Sequence, residues 1–272
     1  MRTASAQEIV EILYRRYPPE SAQAWDRVGV EFGDLSKAAK KIYFAVDVLP
    51  DTVDEALAWG ADFFIAHHPL FLFELVEPLP GEEPKEIAPW KSELAEKLKN
   101  AGITLLIAHT NADIADPGVN DALGQALGLI NLISMPEGLG RIGEVVRPVR
   151  LAKFVEHISR CLPVGVNGVR ATGDPEQLIK RVALCGGSGA DRLEILQQLD
   201  VDAYLTSDLK HHRVNEALAA GAPVLIDAGH FATEWPWLAQ AAQLLAEDLE
   251  QGGYARPEMK ISEISTDPWR VR

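Results

Sequence analysis

Length, composition and charge exclude several classes of protein. The chain has 272 residues, of which 47% are hydrophobic and 24% are charged, and its formal net charge is −14. This composition is that of an ordinary globular protein, and the length predicts two domains or one large one, at about 100–200 residues per domain. The acidity argues against direct nucleic-acid binding, which needs clustered Lys and Arg.

Neither a membrane span nor a secretory signal is predicted. No apolar run reaches about 18 residues, and residues 1–19 have the pattern of an amphipathic helix. We therefore expect a cytoplasmic protein without a membrane partner. The two cysteines, Cys161 and Cys185, form no CxxC pair, which excludes a disulfide framework and a thiolate zinc site. Both are predicted to be buried small apolar residues.

The first half of the chain alternates between helical and strand patterns. A helix is expected over 5–17, where Pro18 and Pro19 end it, and the Pro- and Glu-rich stretch 74–90 is expected to be a surface loop. The other predicted elements are strands at 42–48, 62–66 and 103–108 and helices at 50–59, 91–100 and 118–127. This alternation is typical of an α/β fold whose mostly parallel sheet is covered by helices.

The second half continues the alternation after residues 131–140, a stretch with Gly, Pro and Ser that we expect to separate two parts of the chain. The predicted strands are 143–148, 164–171, 181–185, 202–206, 224–227 and 259–264, and the predicted helices are 151–162, 190–199, 212–220 and 234–250. The sequence contains no tandem repeat of 20–50 residues.

Three predicted strands are followed directly by histidines that suit a metal ion. Two of these strand ends also carry a carboxylate four residues after the histidine, and the third carries a second histidine. The residues concerned are His67, His68, His109, Asp113, His230 and Glu234. In an open α/β sheet, ligands bind beyond the carboxyl ends of the strands, so these side chains can converge. Imidazole and carboxylate groups suit Zn, Fe, Mn, Co or Ni.

Each of these residues also has a purely structural interpretation. A single His after a strand is more often a loop or helix-cap residue than a ligand. Asp113 fits a turn or a helix N-cap, and Glu234 fits a first helical turn, near the positive end of the helix dipole. The coincidence at three strand ends favours a metal site. Neighbouring side chains on extended backbone point to opposite sides, so His67 and His68 are expected to serve two ions more easily than one.

Two further motifs have weaker functional interpretations. His211 and His212 open a predicted helix that has no carboxylate at similar spacing, so a solvated helix start is favoured. The motif CGGSGAD, residues 185–191, lies between a strand and a predicted helix, where backbone N–H groups can cradle a phosphate. It lacks the lysine of a P-loop and the spacing of GxGxxG, which favours a tight turn.

Seven blocks occur in an order that resembles one known family. They are WDRVGVEFGD (25–34), AVDVLPDTVDEALAWGADFFIAHHPL (45–70), AHTNADIADPGVNDALGQALGL (108–129), GRIGEV (140–145), VALCGGSGAD (182–191), YLTSDLKHH (204–212) and LIDAGHFATE (225–234). Together they resemble the dinuclear-metal-centre hexameric proteins, also called the NIF-three-like family or the GTP cyclohydrolase I type 2 homologues. The resemblance extends over about residues 5–265.

The resemblance implies a fold and an assembly. It implies two similar α/β domains with mixed, mostly parallel sheets and a dinuclear metal site in the cleft between them. The first domain would comprise 1–128 together with 225–272, and the second would comprise 129–224. Six subunits would form a homohexamer, a trimer of dimers.

The resemblance also implies a site. It implies two divalent metal ions per subunit, of unspecified identity among Zn, Fe, Mn, Co and Ni. Asp113 and Glu234 would be the natural bridging carboxylates. His109 would act beside the ions, either by supporting a ligand or in proton transfer, and direct ligation by His109 is the less favoured alternative. The implied ligands are His67, His68, Asp113, His230 and Glu234.

The implied activity is metal-dependent hydrolysis of a nucleotide-like small molecule, such as opening of the guanine imidazole ring of GTP. Two bound metal ions activate water and act as Lewis acids, which suits hydrolysis. A non-catalytic hexameric metal carrier or regulatory scaffold is an alternative of another class. A metal-dependent phosphoesterase is a second alternative, in which the CGGSGAD motif or residues 209–212 contact phosphate.

Overall fold

A computed structural model describes residues 1–71, 75–76, 85–86, 88–136 and 138–271. The chain divides into two compact units. The first comprises Met1–Ala112 and Ala241–Ile264, and the second comprises Asp113–Gln240 and Ser265–Arg272. The first unit is thus built from both ends of the chain.

The first unit consists of a sheet and helices drawn mainly from its N-terminal segment. Its elements are α1 (Ala6–Arg16), β1 (Gly29–Phe32), β2 (Lys41–Ala45), α2 (Pro50–Trp59), β3 (Phe63–Ala66), β4 (Leu75–Val76), β5 (Lys85–Glu86), α3 (Pro89–Asn100), β6 (Thr104–Ile107) and β13 (Glu258–Ile261). The helices α4 (Thr110–Ile114) and α9 (Pro236–Gln251) each contain one of the points at which the chain passes from one unit to the other.

The sheet of the first unit has the strand order β1-β6-β3-β2-β13. Its described pairs are parallel except for β1 with β6, which is antiparallel. The last residues of three neighbouring strands are in register, since Ala45 pairs with Ala66 and Ala66 pairs with Ile107. The residues that follow β2, β3 and β6 therefore emerge at the same edge of the sheet.

Short polar signals and apolar packing define the elements of the first unit. The hydroxyl of Ser5 accepts a hydrogen bond from the N–H of Glu8, while the Glu8 carboxylate accepts one from the N–H of Ser5, a capping box that starts α1. Gly60 ends α2 in the left-handed conformation. The strands β3 and β6 are buried along their whole length. Such continuous apolar strands are typical of a parallel sheet covered by helices.

Most predicted elements of the first unit are confirmed within a few residues at each end. The strand β1 and the helix α4 were not predicted, because β1 has no buried alternation and α4 is only five residues long. The predicted loop over 74–90 lies largely outside the described residues. Within its described part, β4 and β5 pair in an antiparallel manner, and α3 begins at Pro89.

The second unit has its own sheet and helices. Its elements are α5 (Val119–Ala126), β7 (Ile130–Ser134), β8 (Arg141–Arg150), α6 (Leu151–Cys161), β9 (Arg170–Ala171), β10 (Leu178–Ser188), β11 (Ala203–Ser207), α7 (His211–Ala219), β12 (Val224–Asp227) and α8 (His230–Glu234), with 3-10 turns at Ala190–Arg192 and Leu196–Gln198.

The sheet of the second unit has the strand order β7-β8-β10-β11-β12-β9. The central strands β10, β11 and β12 are parallel, while the other described pairs of this sheet are antiparallel. Alternate residues of β10 enter separate apolar clusters: Val182 packs with α5 and α6, whereas Ala183 packs with the 3-10 turns and α7. Both faces are therefore covered, and the predicted α/β class with mixed sheets is confirmed.

Three predictions for the second unit are wrong. Residues 164–169 form no strand, because Gly168 adopts a positive φ of 63°, and the strand there is limited to β9. Residues 190–199 form two 3-10 turns, Ala190–Arg192 and Leu196–Gln198, in place of one α-helix, and Leu193 and Leu196 are buried there. The supposed connection 131–140 contains most of β7, an exposed edge strand without the alternation that would reveal it.

The unit boundaries also differ from the predicted domain boundaries. Residues 113–128 and 225–240 belong to the second unit, although the prediction assigned them to the first domain. Residues 225–240 join the second unit because β12 is hydrogen-bonded to β11. Residues 113–128 join it because Leu123 of α5 packs in the apolar cluster of β10.

The two cysteines differ in burial, so they are expected to differ in reactivity. Cys185 is buried, and this burial raises the pKa of its thiol well above the usual range, whereas Cys161 is only half-buried, contrary to prediction. With an aromatic disulfide reagent in native buffer, we expect about one thiol per chain to react, and both in denaturant. Equal native rates for C161A and C185A variants would contradict this expectation.

Within the described residues, no helix combines the length and the apolar character needed to cross a membrane.

Candidate metal centre

The first unit gathers three imidazoles at one edge of its sheet. His67 and His68 follow β3 and His109 follows β6, and one ring nitrogen from each lies within 4.8 Å of the other two. The prediction that His67 and His68 diverge is wrong, since their ring centroids are 4.9 Å apart. The cause is that the backbone bends directly after Ala66, so these two residues are no longer on extended backbone.

Each of these imidazoles is oriented by an oxygen acceptor on its Nδ1 side. His67 Nδ1 donates to the carbonyl oxygen of Ala108 at 2.8 Å, His68 Nδ1 donates to Asp47 Oδ1 at 2.8 Å, and His109 Nδ1 donates to Asp26 Oδ1 at 2.8 Å. A carbonyl or an ionised carboxylate only accepts hydrogen bonds, so Nδ1 carries the proton in each ring. In a neutral imidazole this arrangement leaves the lone pair on Nε2, the atom that a metal ion would bind.

His109 lies in a well-defined environment. Its ring packs edge-on against Trp25 at 5.9 Å, and Asp26 also accepts hydrogen bonds from the backbone N–H and the hydroxyl of Thr110. Burial lowers the pKa of His109, against the raising effect of Asp26. Burial alone would raise the pKa of Asp26, but the hydrogen bonds from His109 and Thr110 outweigh it and lower this pKa to about 2. Asp26 is therefore a carboxylate and His109 a neutral imidazole at neutral pH.

The second unit brings His230 and Glu234 together on α8. His230 Nε2 lies 3.0 Å from Glu234 Oε1, and His230 Nδ1 lies 2.6 Å from Asp208 Oδ2. Two ligands at about 2.1 Å from one ion, at right angles to each other, are about 3 Å apart, so this spacing suits a shared ion. The Glu234 carboxylate is the main cause that raises the pKa of His230 to about 11, against burial and with help from Asp208.

The CGGSGAD motif spans the last four residues of β10, where the pairing with β11 is irregular, and continues into the following 3-10 turn. Its Gly187 lies against this pair. Three N–H groups of the motif are already used: Gly186 donates to Asn120 Oδ1, Gly187 donates to Thr233 Oγ1, and Gly189 donates to Thr206 Oγ1. These three donors therefore cannot also cradle a phosphate. The prediction of a tight turn is wrong for residues 185–188, which belong to β10.

Asp113 lies on α4, near the end of β10. Its backbone carbonyl accepts a hydrogen bond from the side-chain amide of Asn120, a fully buried residue whose oxygen accepts from Gly186. Asn120 thus connects the backbone of Asp113 with the end of β10. Asp113 is only partly buried and is one of the causes that raise the pKa of Cys185.

His211 and His212 are exposed at the start of α7, as predicted for a solvated helix start. Their rings contact each other edge-on at 5.3 Å, and the Asn215 side-chain amide donates to His211 Nε2 at 3.1 Å.

The carboxylates that orient the histidines were missed by the sequence analysis. Asp26, Asp47 and Asp208 lie 83, 21 and 22 residues from their histidine partners. Asp47 carried a signal, because it is the single charged residue of the apolar run 42–48. Asp208 follows the strand next to the one that precedes His230, and this adjacency becomes visible only once the strand order is known.

The family follows from comparison with known proteins. Residues 4–268 match the model of the Duf34/NIF3 (NGG1p interacting factor 3) family. The chain belongs to the Duf34/NIF3 family. A Streptomyces coelicolor protein described as a GTP cyclohydrolase 1 type 2 homolog is 39% identical over 272 residues, which cover 96% of this chain and 92% of that protein. The resemblance inferred from the seven blocks is thereby confirmed.

Solved structures share the fold along nearly the whole chain. A Staphylococcus aureus hypothetical protein superimposes with a TM-score of 0.86 at 25% identity, covering 99% of this chain and 100% of that one. A Bacillus cereus protein related to NIF3 gives the same TM-score of 0.86 at 22% identity, covering 99% of both chains, and at that identity it supports the fold alone.

Proposed function

We propose that this chain binds two divalent metal ions per subunit and uses them to hydrolyse a nucleotide-like small molecule. The proposed ligands are His67, His68, Asp113, His230 and Glu234. Family membership supports the proposal, since curated relatives are described as GTP cyclohydrolase 1 type 2 homologs. When bound, the ions would supply Lewis-acid polarisation and lower the pKa of water.

The observation that carries the proposal is the hydrogen bond that each histidine makes through Nδ1. His67, His68 and His230 each direct Nδ1 at an oxygen acceptor within 2.8 Å, and Glu234 accompanies His230 at 3.0 Å. Metal-binding histidines commonly have such partners, because the acceptor fixes both the tautomer and the ring orientation. The donors are imidazole and carboxylate only, which suits Zn, Fe, Mn, Co or Ni.

His109 is proposed to move a proton during hydrolysis. Burial lowers the pKa of His109, so its Nε2 is unprotonated at neutral pH and can accept a proton. Its Nδ1–H remains hydrogen-bonded to the Asp26 carboxylate. The Asp26 carboxylate would stabilise the imidazolium that forms. One ring nitrogen of His109 lies in the group with His67 and His68, so direct ligation by His109 is the alternative role.

Two other functions differ from this proposal in measurable ways. A hexameric metal carrier or scaffold would use the same ligands but would show no turnover. A phosphoesterase would hydrolyse a generic phosphodiester rather than open a purine ring. We also propose that the chain assembles into a homohexamer. Light scattering should then give the mass of six 29.7-kDa chains.

The test is elemental analysis of chain purified without chelator, repeated after reconstitution with Zn²⁺, Fe²⁺ or Mn²⁺. We expect about two equivalents per chain in the wild type and a clear loss in H68A and E234Q. The matched control is H212A, because His212 is exposed and lies outside the proposed ligand set. Turnover of GTP and of a phosphodiester is followed on the same samples.

The outcomes separate the candidates. About two metal equivalents per chain, with a GTP turnover that rises and falls with the metal content, support the hydrolase. Metal without turnover of either substrate favours the carrier or scaffold, and cleavage of the phosphodiester alone favours the phosphoesterase. No bound metal even after reconstitution overturns the proposal.

A further inference from the structure

The end of β10 brings the backbone of Gly187 against the side chains of α8. Gly187 N–H donates to Thr233 Oγ1 at 2.9 Å, and that hydroxyl donates to the carbonyl oxygen of His230 at 2.8 Å. The Gly187 carbonyl accepts hydrogen bonds from the hydroxyls of Thr206 and Ser207 at the end of β11. Gly187 is therefore held from both sides, and it cannot withdraw from α8 without breaking several buried hydrogen bonds.

Gly187 is the position where a side chain would collide with the pair on α8. A Cβ there would overlap Oε1 of Glu234 and would lie 3.2 Å from Nε2 of His230. Both atoms are the ones that the proposed function assigns to a metal ion. Gly187 also has φ +63°, a conformation that residues with a Cβ adopt with strain. Two separate requirements thus exclude a side chain at this position.

The neighbouring glycine meets different atoms. A Cβ at Gly186 would lie 3.1 Å from Val119 Cγ1, 3.3 Å from the Thr233 carbonyl oxygen and 3.7 Å from Glu234 Cγ. Gly186 therefore allows α5 and α8 to pack closely on the end of β10, whereas Gly187 faces the carboxylate of Glu234 and the imidazole of His230. The two glycines thus have separate roles, one in helix packing and one toward the carboxylate.

We propose that Gly187 is a positioning residue for metal binding: its missing side chain leaves the space in which Glu234 Oε1 and His230 Nε2 lie 3.0 Å apart. This inference rests on the proposed function. In this inference the CGGSGAD motif supports the His230–Glu234 pair through Gly187 and does not bind phosphate. The added methyl of Gly187→Ala would push the carboxylate away from His230 and would weaken the binding of one ion.

The experiment compares Gly187→Ala with Gly221→Ala. Gly221 has φ +90°, and a Cβ there would meet no atom within 4 Å among the described residues, so its variant carries comparable backbone strain without a collision. Zn²⁺ affinity is measured by competition with a chromophoric chelator, and the visible spectrum of bound Co²⁺ reports ligand geometry. We expect Gly187→Ala to weaken one Zn²⁺ site by about tenfold or more and to alter the Co²⁺ spectrum, as loss of ligand orientation does. Gly221→Ala should change neither.

A double-mutant cycle keeps the test sharp if Gly187→Ala is also less stable. In a Glu234→Asp background the shorter carboxylate retreats from the added Cβ, so Gly187→Ala should cost clearly less affinity there than in the wild type. Additive effects, or an unchanged Zn²⁺ affinity in Gly187→Ala while Glu234→Gln loses a site, would overturn the role of Gly187 and leave the proposed function standing. Absence of Zn²⁺ and Co²⁺ binding in the wild type would overturn both.

Discussion

Replacing Arg141 by Met should lower the stability of the second unit by about 3–5 kcal/mol, because it leaves a buried carboxylate without its cation. Arg141, at the start of β8, is 1% exposed. Its Nε and Nη2 donate to the two oxygens of Asp121 at 2.9 and 2.8 Å, and its Nη1 donates to the Gly140 carbonyl. Asp121 also accepts from the N–H of Gly118 and so caps α5. One ion pair therefore connects the sheet with this helix.

The measurement is urea denaturation followed by circular dichroism, with thermal unfolding as a second readout. A loss of this size corresponds to a fall in Tm of roughly 6–20 °C. The matched control is Arg213→Ala, whose partner Glu194 lies at 3.3 Å but is largely exposed, so we expect about 0–1 kcal/mol. The double variant Arg141→Met/Asp121→Leu should lose less than the sum of its two single variants. A midpoint for Arg141→Met equal to that of the wild type would show that the pair contributes nothing.

The strand ends were predictable from the sequence, and with them most of the candidate site. Apolar runs such as 62–66 and 224–227 are short and bounded by turn signals, which favours a buried strand, and the residues directly after each run emerge at the carboxyl edge of its sheet. His67, His109 and His230 were found in this way. The HTNAD and GHFATE motifs also indicated Asp113 and Glu234, although neither sequence spacing nor periodicity shows what their side chains contact.

Features that depend on tertiary packing were less predictable. The edge strand β7 exposes most of its residues, so no alternation marks it. The segment 190–199 has helical composition, yet it forms two short 3-10 turns. Residues 225–240 lie in the second compact unit because β12 pairs with β11, a contact between strands that a helix separates along the chain. The orienting carboxylates belong to the same class, since strand neighbours and not sequence neighbours bring them to the histidines.

Asp208 offers the sharpest test of whether these carboxylates serve metal binding. It accepts the Nδ1–H of His230 at 2.6 Å and has φ +56°, a conformation in which Asn and Asp are enriched. Asp208→Asn therefore preserves both the backbone and an oxygen acceptor and removes only the charge. Asp208→Ala also removes the acceptor. If His230 binds an ion through Nε2, we expect Zn²⁺ affinity to fall by about tenfold in Asp208→Asn and by up to about 100-fold in Asp208→Ala.

A distant control separates this contact from the general effect of negative charge on cation binding. Asp54→Asn removes the same charge from an exposed position on α2, where the nearest cation, Lys97, lies at 3.5 Å. If Asp54→Asn weakens Zn²⁺ binding as much as Asp208→Asn does, the effect is long-range electrostatics and His230 is not oriented for metal by Asp208. Suppose that only the Asp208 variants lose affinity and that Asp208→Ala loses more than Asp208→Asn. The hydrogen bond and the charge of Asp208 then both act through the imidazole of His230. Asp47 would then be expected to act on His68 in the same way, since that pair has the same Nδ1–carboxylate geometry at 2.8 Å.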